Sequence, residues 1–123
     1  MAKIIFCEDD PTLQKLIRVA LRAMDHEIHI VGDGADGLAL IERELPDVVF
    51  TDISMPGLDG LQLIDALKAH PSLQHIPVIV VTASVQRHQI EQVHKHNIAG
   101  LLSKPFSVYD LRAKVEELAS ADN

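Results

Sequence analysis

The chain has a single cysteine, no hydrophobic run long enough to span a membrane, and no surplus of positive charge. Each shortage closes off a class of protein. Cys7 has no partner for an intrachain disulfide and lies inside an apolar stretch, which reads as a small buried hydrophobe in a reducing compartment. No apolar run approaches the roughly 20 residues a transmembrane helix needs, and the N-terminus lacks a signal-peptide pattern. No membrane is therefore expected as a partner, and a cytoplasmic location is. Lysine and arginine number 11 against 18 aspartate and glutamate, a net charge of −7. A nucleic-acid surface needs clustered Lys and Arg, so that class is set aside. There is no linker, low-complexity tract or internal repeat. The 123 residues, 47% of them apolar, read as one globular domain over 1–123.

What is present is a regular alternation. Lys3 to Cys7 is short and apolar, as a buried strand would be. Pro11 opens a helix with Leu13, Leu16, Ile17, Ala20 and Leu21 on one face. His26 to Val31 alternates like an edge strand. After Gly32-Asp33-Gly34 a second helix runs to about Leu45, with Leu38, Ile41 and Leu45 facing inward, and Pro46 stops it. Asp47 to Thr51 is the next strand. Asp59 is placed to cap a third helix that runs to about His70. The β-branched segment Pro77 to Val81 reads as a central strand. A polar helix is expected over Ser84 to His96, and Ala99 to Ser103 is the last strand. Ser107 and Asp110 form a capping-box-like start to a final helix. Five βα units in succession imply an α/β fold: a five-stranded parallel sheet with helices on both faces and right-handed crossovers.

Four polar residues each follow an apolar strand: Asp9, Asp52, Thr82 and Lys104. In a parallel sheet they meet on the carboxyl edge, where open α/β sheets bind ligands. Carboxylates, a hydroxyl and an ammonium together suit a divalent cation and a phosphoryl group. Taken singly, each has a plainer reading. Clustered acids in a turn are usually solvated or cap a helix, which fits Asp10 best. Thr82 alone would be a strand residue and Lys104 alone a surface one. Asp52 ends an apolar strand, where a charge is functional or expensively buried. Among the seven histidines, His94 and His96 lie two apart in an expected helix and do not share a face, so solvated side chains are expected there.

Four segments carry a resemblance. They are Cys7-Glu8-Asp9-Asp10, Thr51-Asp52-Ile53-Ser54-Met55-Pro56-Gly57-Leu58-Asp59-Gly60, Val81-Thr82-Ala83-Ser84 and Ser103-Lys104-Pro105-Phe106. In this order, each at a strand end, they resemble the receiver domains of two-component response regulators, the CheY-like family, over essentially the whole chain. The resemblance implies a flavodoxin-like strand order of 2-1-3-4-5. It makes Asp52 the phosphoacceptor, Lys104 a phosphoryl-oxygen contact and Thr82 a hydroxyl donor to the phosphate. It implies Mg²⁺, or Mn²⁺ in its place, held by Asp9, Asp52 and the backbone carbonyl of Ser54, with Glu8 acting through water. It also implies a cis peptide before Pro105. The expected phosphodonor is a sensor histidine kinase or a histidine phosphotransfer protein. The downstream target would bind the face made by the helix over Ser84 to His96, the fifth strand and the final helix, with the domain a monomer or a phosphorylation-dependent dimer.

In the family a switch residue in the fifth strand, often Tyr or Phe, rotates as the threonine moves inward. Here it is Leu101, so Thr82 is expected to move and Leu101 to move little. Ser54 and Ser84, both small, should shield an aspartyl phosphate poorly. Two rival classes remain. A Mg²⁺-dependent phosphohydrolase would want a second acid two residues after the nucleophile, where Ser54 stands. A phosphate-independent interaction module would be expected to lack Asp9, Asp52 or Lys104, and all three are present. The domain is therefore expected to be no enzyme beyond slow self-dephosphorylation. The chain reads equally well as a free-standing receiver or as one taken from a longer protein.

Overall fold

The computed structural model describes residues 2–82 and 98–120. The helix expected over 84–96, with Ser84, His94 and His96, lies outside the described residues, as does the tail over 121–123. The strands are β1 (Lys3–Cys7), β2 (Glu27–Val31), β3 (Val48–Asp52), β4 (Val78–Thr82) and β5 (Gly100–Ser103). All pairings are parallel, and the order is β2-β1-β3-β4-β5. Helices α1 (Pro11–Leu21), α2 (Gly34–Glu44) and α3 (Gly60–Ala69) and a C-terminal helix (Val108–Ser120) pack against the sheet.

Alternation along the strands builds two cores. Ile5 and Cys7 of β1 face the layer that holds Leu40 and Ile41 of α2 and Leu63, Ile64 and Leu67 of α3. Ile4 and Phe6 face Ile17, Ala20 and Leu21 of α1 and Leu111 and Val115 of the C-terminal helix. On that second face Phe6 stacks on Phe50 with ring centroids 4.6 Å apart. A sheet covered on both sides explains why its inner strands read as unbroken apolar runs. Burial also pushes the Cys7 thiol up to about 12, so it stays neutral and inert.

The caps follow the chemistry of their residues. Asp10 caps α1 by accepting the amide of Thr12 at 2.9 Å, with Pro11 in the first turn. Asp59 caps α3 by accepting the Gln62 amide, and the Gln62 side chain accepts the Asp59 amide in return. Ser107 and Asp110 exchange the same pair of bonds at 3.0 and 3.1 Å.

Several expectations shift: β4 runs Val78–Thr82 and β5 starts at Gly100, each one residue beyond the expected Pro77 and Ala99. Leu45 faces out, 59% exposed, rather than in. It is the C-cap of α2 with φ at +49°, and this left-handed turn swings its side chain off the helical stripe. Leu40 takes the inner position instead. β3 begins at Val48 and not at Asp47, whose side chain accepts the Lys3 amide at 2.7 Å while its own amide donates to the Lys3 carbonyl at 2.8 Å. β2 begins at Glu27 because His26 accepts the amide of Ala2 at its Nδ1, 2.9 Å away.

Candidate phosphoryl site

The carboxyl edge is assembled by register. Cys7 pairs with Thr51 and Asp52 with Val81, so Glu8, Asp9, Asp52 and Thr82 all leave the sheet at one edge. Thr82 pairs with Ser103, and the backbone amide of Lys104 donates to the Thr82 carbonyl at 2.8 Å. That bond sets the origin of the Lys104 side chain two strands from Asp52. The Lys104–Pro105 peptide is cis.

From there the lysine reaches across. Its Nζ lies 2.7 Å from Asp52 Oδ2 and 2.9 Å from Glu8 Oε1. The three side chains are 15% (Lys104), 12% (Asp52) and 5% (Glu8) exposed, so this is a mostly desolvated cluster and not a surface pair. Burial opposes the ammonium, but its bonds to Asp52 and Glu8 outweigh that and hold its pKa above the ordinary lysine value. Burial pushes the Glu8 carboxyl above the usual carboxylate range, offset only in part by Lys104 and the Asp10 amide. Glu8 Oε2 accepts that amide at 3.0 Å, so both oxygens of Glu8 are engaged.

Oxygen ligands of Glu8, Asp9 and Asp52 lie within 4.8 Å of one another. Asp9 is exposed and Asp52 half-buried. An all-oxygen, anionic donor set of this size fits a hard divalent cation such as Mg²⁺ or Mn²⁺, and an open side fits one that keeps some of its waters. Ser54 is exposed, and its amide points at Asp52 Oδ1 from 3.3 Å. Thr82 is buried at the edge. Leu101 is half-buried and packs on the α2 and α3 core.

Glu8, Asp9, Asp52, Ser54, Thr82 and Lys104 are thus gathered at one edge, Leu101 lies on the core below it, and two features went unforeseen. One is the direct Glu8–Lys104 pair. The signal for it was the extra carbon of glutamate, which lets the carboxylate reach the lysine. The other is the room kept for the 53–59 loop. A methyl on Gly60 would overlap the carbonyl oxygen of Asp52 and come 2.9 Å from Cα of Ile53, and one on Gly34 would overlap the carbonyl of Leu58. Gly60→Ala is expected to cost about 1–3 kcal/mol by forcing backbone apart. Urea unfolding checks this, and an unchanged midpoint would contradict it.

A second polar group, Glu27, His29 and Glu44, sits at the β1–β2 side of the fold. Lys3 lies 3.8 Å from Glu27 and 3.7 Å from Glu44, and His29 is 2.7 Å from Glu27. The bond from His29 lowers the Glu27 pKa. These ion pairs and hydrogen bonds tie β1, β2 and α2 together.

The model of the response regulator receiver domain matches residues 4–116. The chemotaxis protein CheY of Pseudomonas aeruginosa is 32% identical over 117 residues, covering 94% of this chain and 94% of that one. The receiver domain of a signal transduction histidine kinase from Syntrophus aciditrophicus superposes with a TM-score of 0.90 at 26% identity, covering 98% of this chain and 92% of the other. The receiver domain of sensor histidine kinase PA1611 from Pseudomonas aeruginosa, solved with a magnesium ion coordinated in its active-site cleft, gives a TM-score of 0.88 at 25% identity and covers 97% and 98%.

Proposed function

This chain belongs to the response regulator receiver family and is a receiver domain of two-component signalling, and from that premise we propose that Asp52 accepts a phosphoryl group from a phosphohistidine on a kinase or phosphotransfer protein. The observation that carries this reading is the Lys104 ammonium, seated against Asp52 at 2.7 Å beside two more carboxylates.

A carboxylate oxygen of Asp52 attacks the phosphorus. The new O–P bond forms as the P–N bond to the donor imidazole breaks, and the imidazole leaves with its electron pair and takes a proton. The product is an aspartyl phosphate. Lys104 already touches the nucleophile, so it meets a phosphoryl oxygen on the same carboxylate and balances its charge. Thr82 donates its hydroxyl to another phosphoryl oxygen. Mg²⁺ held by Asp9, Asp52 and the Ser54 carbonyl would neutralise charge between the anionic nucleophile and the anionic phosphoryl group. Glu8, with both oxygens engaged, acts on that ion through water and keeps Lys104 in place. Since position 54 carries no acid, turnover is limited to slow self-hydrolysis.

The effect of the phosphate on Asp52 reaches the target through β5, the C-terminal helix and the segment over 84–96. Tyr109, 78% exposed on the C-terminal helix, is an anchor for that partner. Leu101 repacks little, because it has no hydroxyl to relocate.

The test is intact mass after incubation with acetyl phosphate, in Mg²⁺ or in EDTA. An adduct that forms with Mg²⁺ and fails in EDTA is expected. Asp9→Asn should need on the order of tenfold more Mg²⁺, or beyond, to reach the same extent. Equal labelling in EDTA would remove the metal from the account.

A further inference from the structure

Among the described residues three cations make no ion pair or hydrogen bond: Lys15, Arg18 and Arg22. Their spacing of three and four residues puts them on one stripe of α1. In a chain of net charge −7 this is a local inversion of sign.

The last two flank a groove of about 500 Å³ between the end of α1 and β2, floored by Leu21, Met24, Ile28 and Ile30. Of the carboxylates nearby, Glu27 is engaged by His29 and Lys3 and Glu116 lies 3.6 Å from His26, while exposed Asp25, between Met24 and His26, makes no ion pair among the described residues. The two guanidiniums line the groove and Asp25 does not, so positive charge is what its wall presents. The groove also lies away from Asp52, since α1 starts beside β1's carboxyl end and runs to the opposite edge of the sheet.

Among the described residues β2 is the sheet's outer strand and pairs only with β1. The Glu27 amide donates to Ala2, and the Val31 carbonyl accepts from Glu8, each at 2.9 Å. Alternate residues of a strand turn their backbone groups to opposite edges, so Ile28 and Ile30 turn theirs to the open one. Two of the four residues that floor the groove also hold out the strand edge left unpaired among the described residues. The strand has no lysine, proline or bulge to block an incoming chain.

We infer that this groove takes an acidic, extended segment of a partner protein, added as a strand beside β2, whose side chains on the α1 face set apolar groups beside Ile28 and Ile30 and carboxylates against Arg18 and Arg22. A second copy of the chain fits worse, because it would bring the same guanidiniums face to face. The contact is separate from phosphotransfer and leaves the Asp52 edge open.

The probe is a blocked seven-residue peptide that alternates pairs of glutamates with pairs of valines, so that each face of the strand carries both, titrated into the whole chain and followed by amide NMR signals. Shifts centred on Ile28 and Ile30 are expected, weakening as salt rises. Arg18→Glu with Arg22→Glu should weaken binding about tenfold or more, with labelling by acetyl phosphate unchanged. A peptide with lysine for glutamate, and glutamate peptides N-methylated at every second residue in either frame, keep the protein intact and test charge and strand pairing apart. The lysine peptide should not bind, and one N-methyl frame should fail. Several results would overturn the inference: no binding, equal binding of the lysine peptide, binding of both N-methyl frames, or shifts gathered around Asp52. Concentration-dependent shifts of Ile28 and Ile30 without peptide would assign the groove to a second copy instead.

Discussion

Asp52→Asn takes up no phosphoryl group, from a small donor or from a protein one, while the domain stays folded. The amide nitrogen has its lone pair delocalised into the carbonyl and does not attack phosphorus. The substitution keeps shape and volume, so the end of β3 and its pairing with Val81 are unaffected. Lys104 keeps Glu8 at 2.9 Å and can still donate to the Asn oxygen, so the cluster is not left with an orphan charge. Removing one of three carboxylates whose ligand atoms lie within 4.8 Å also eases repulsion. Urea midpoints should therefore stay close while mass labelling drops to nothing. Labelling of the variant at the wild-type level would mean that the phosphate goes elsewhere.

Lys104→Ala changes both rate and stability. Losing a preorganised positive donor at a site of developing charge is expected to slow phosphoryl uptake about a hundredfold. It also strands Glu8. Breaking a buried pair from one side costs about 3–5 kcal/mol, and the lower end applies because the lysine is 15% exposed. The cost depends on pH in a defined direction. Burial already raises the Glu8 carboxyl in the folded state, and the alanine variant also loses the lysine that opposed the rise. A folded-state pKa above the unfolded one favours folding at low pH, and that benefit is lost as pH climbs through the raised value. Urea unfolding at mildly acidic and at neutral pH should therefore give a gap between wild type and variant that widens toward neutrality. A constant gap would show that Glu8 does not carry the effect.

The fold was legible because its signals are local. Apolar runs, Pro11, Asp59 and Ser107 each act within a few residues, and strict βα alternation leaves few topologies. Leu45 misled because helical periodicity continues past the residue where the backbone turns left-handed. The site was legible as residue types at strand ends. Its internal wiring was not. Which carboxylate the lysine takes depends on the reach from β5 across β4, and on Glu8 being a carbon longer than aspartate. Gly34 and Gly60 keep the 53–59 loop close by contacts with residues distant in sequence or across a turn, and no periodicity reports such a contact.

The most direct measurement is the position of the phosphate. Borohydride reduces an aspartyl phosphate to homoserine, and peptide mass spectrometry then reads the position. After labelling with Mg²⁺ and reduction, homoserine should appear at position 52 and nowhere else. Homoserine at position 9, or a labelled protein with none at all, would contradict the assignment of Asp52 as the phosphoacceptor.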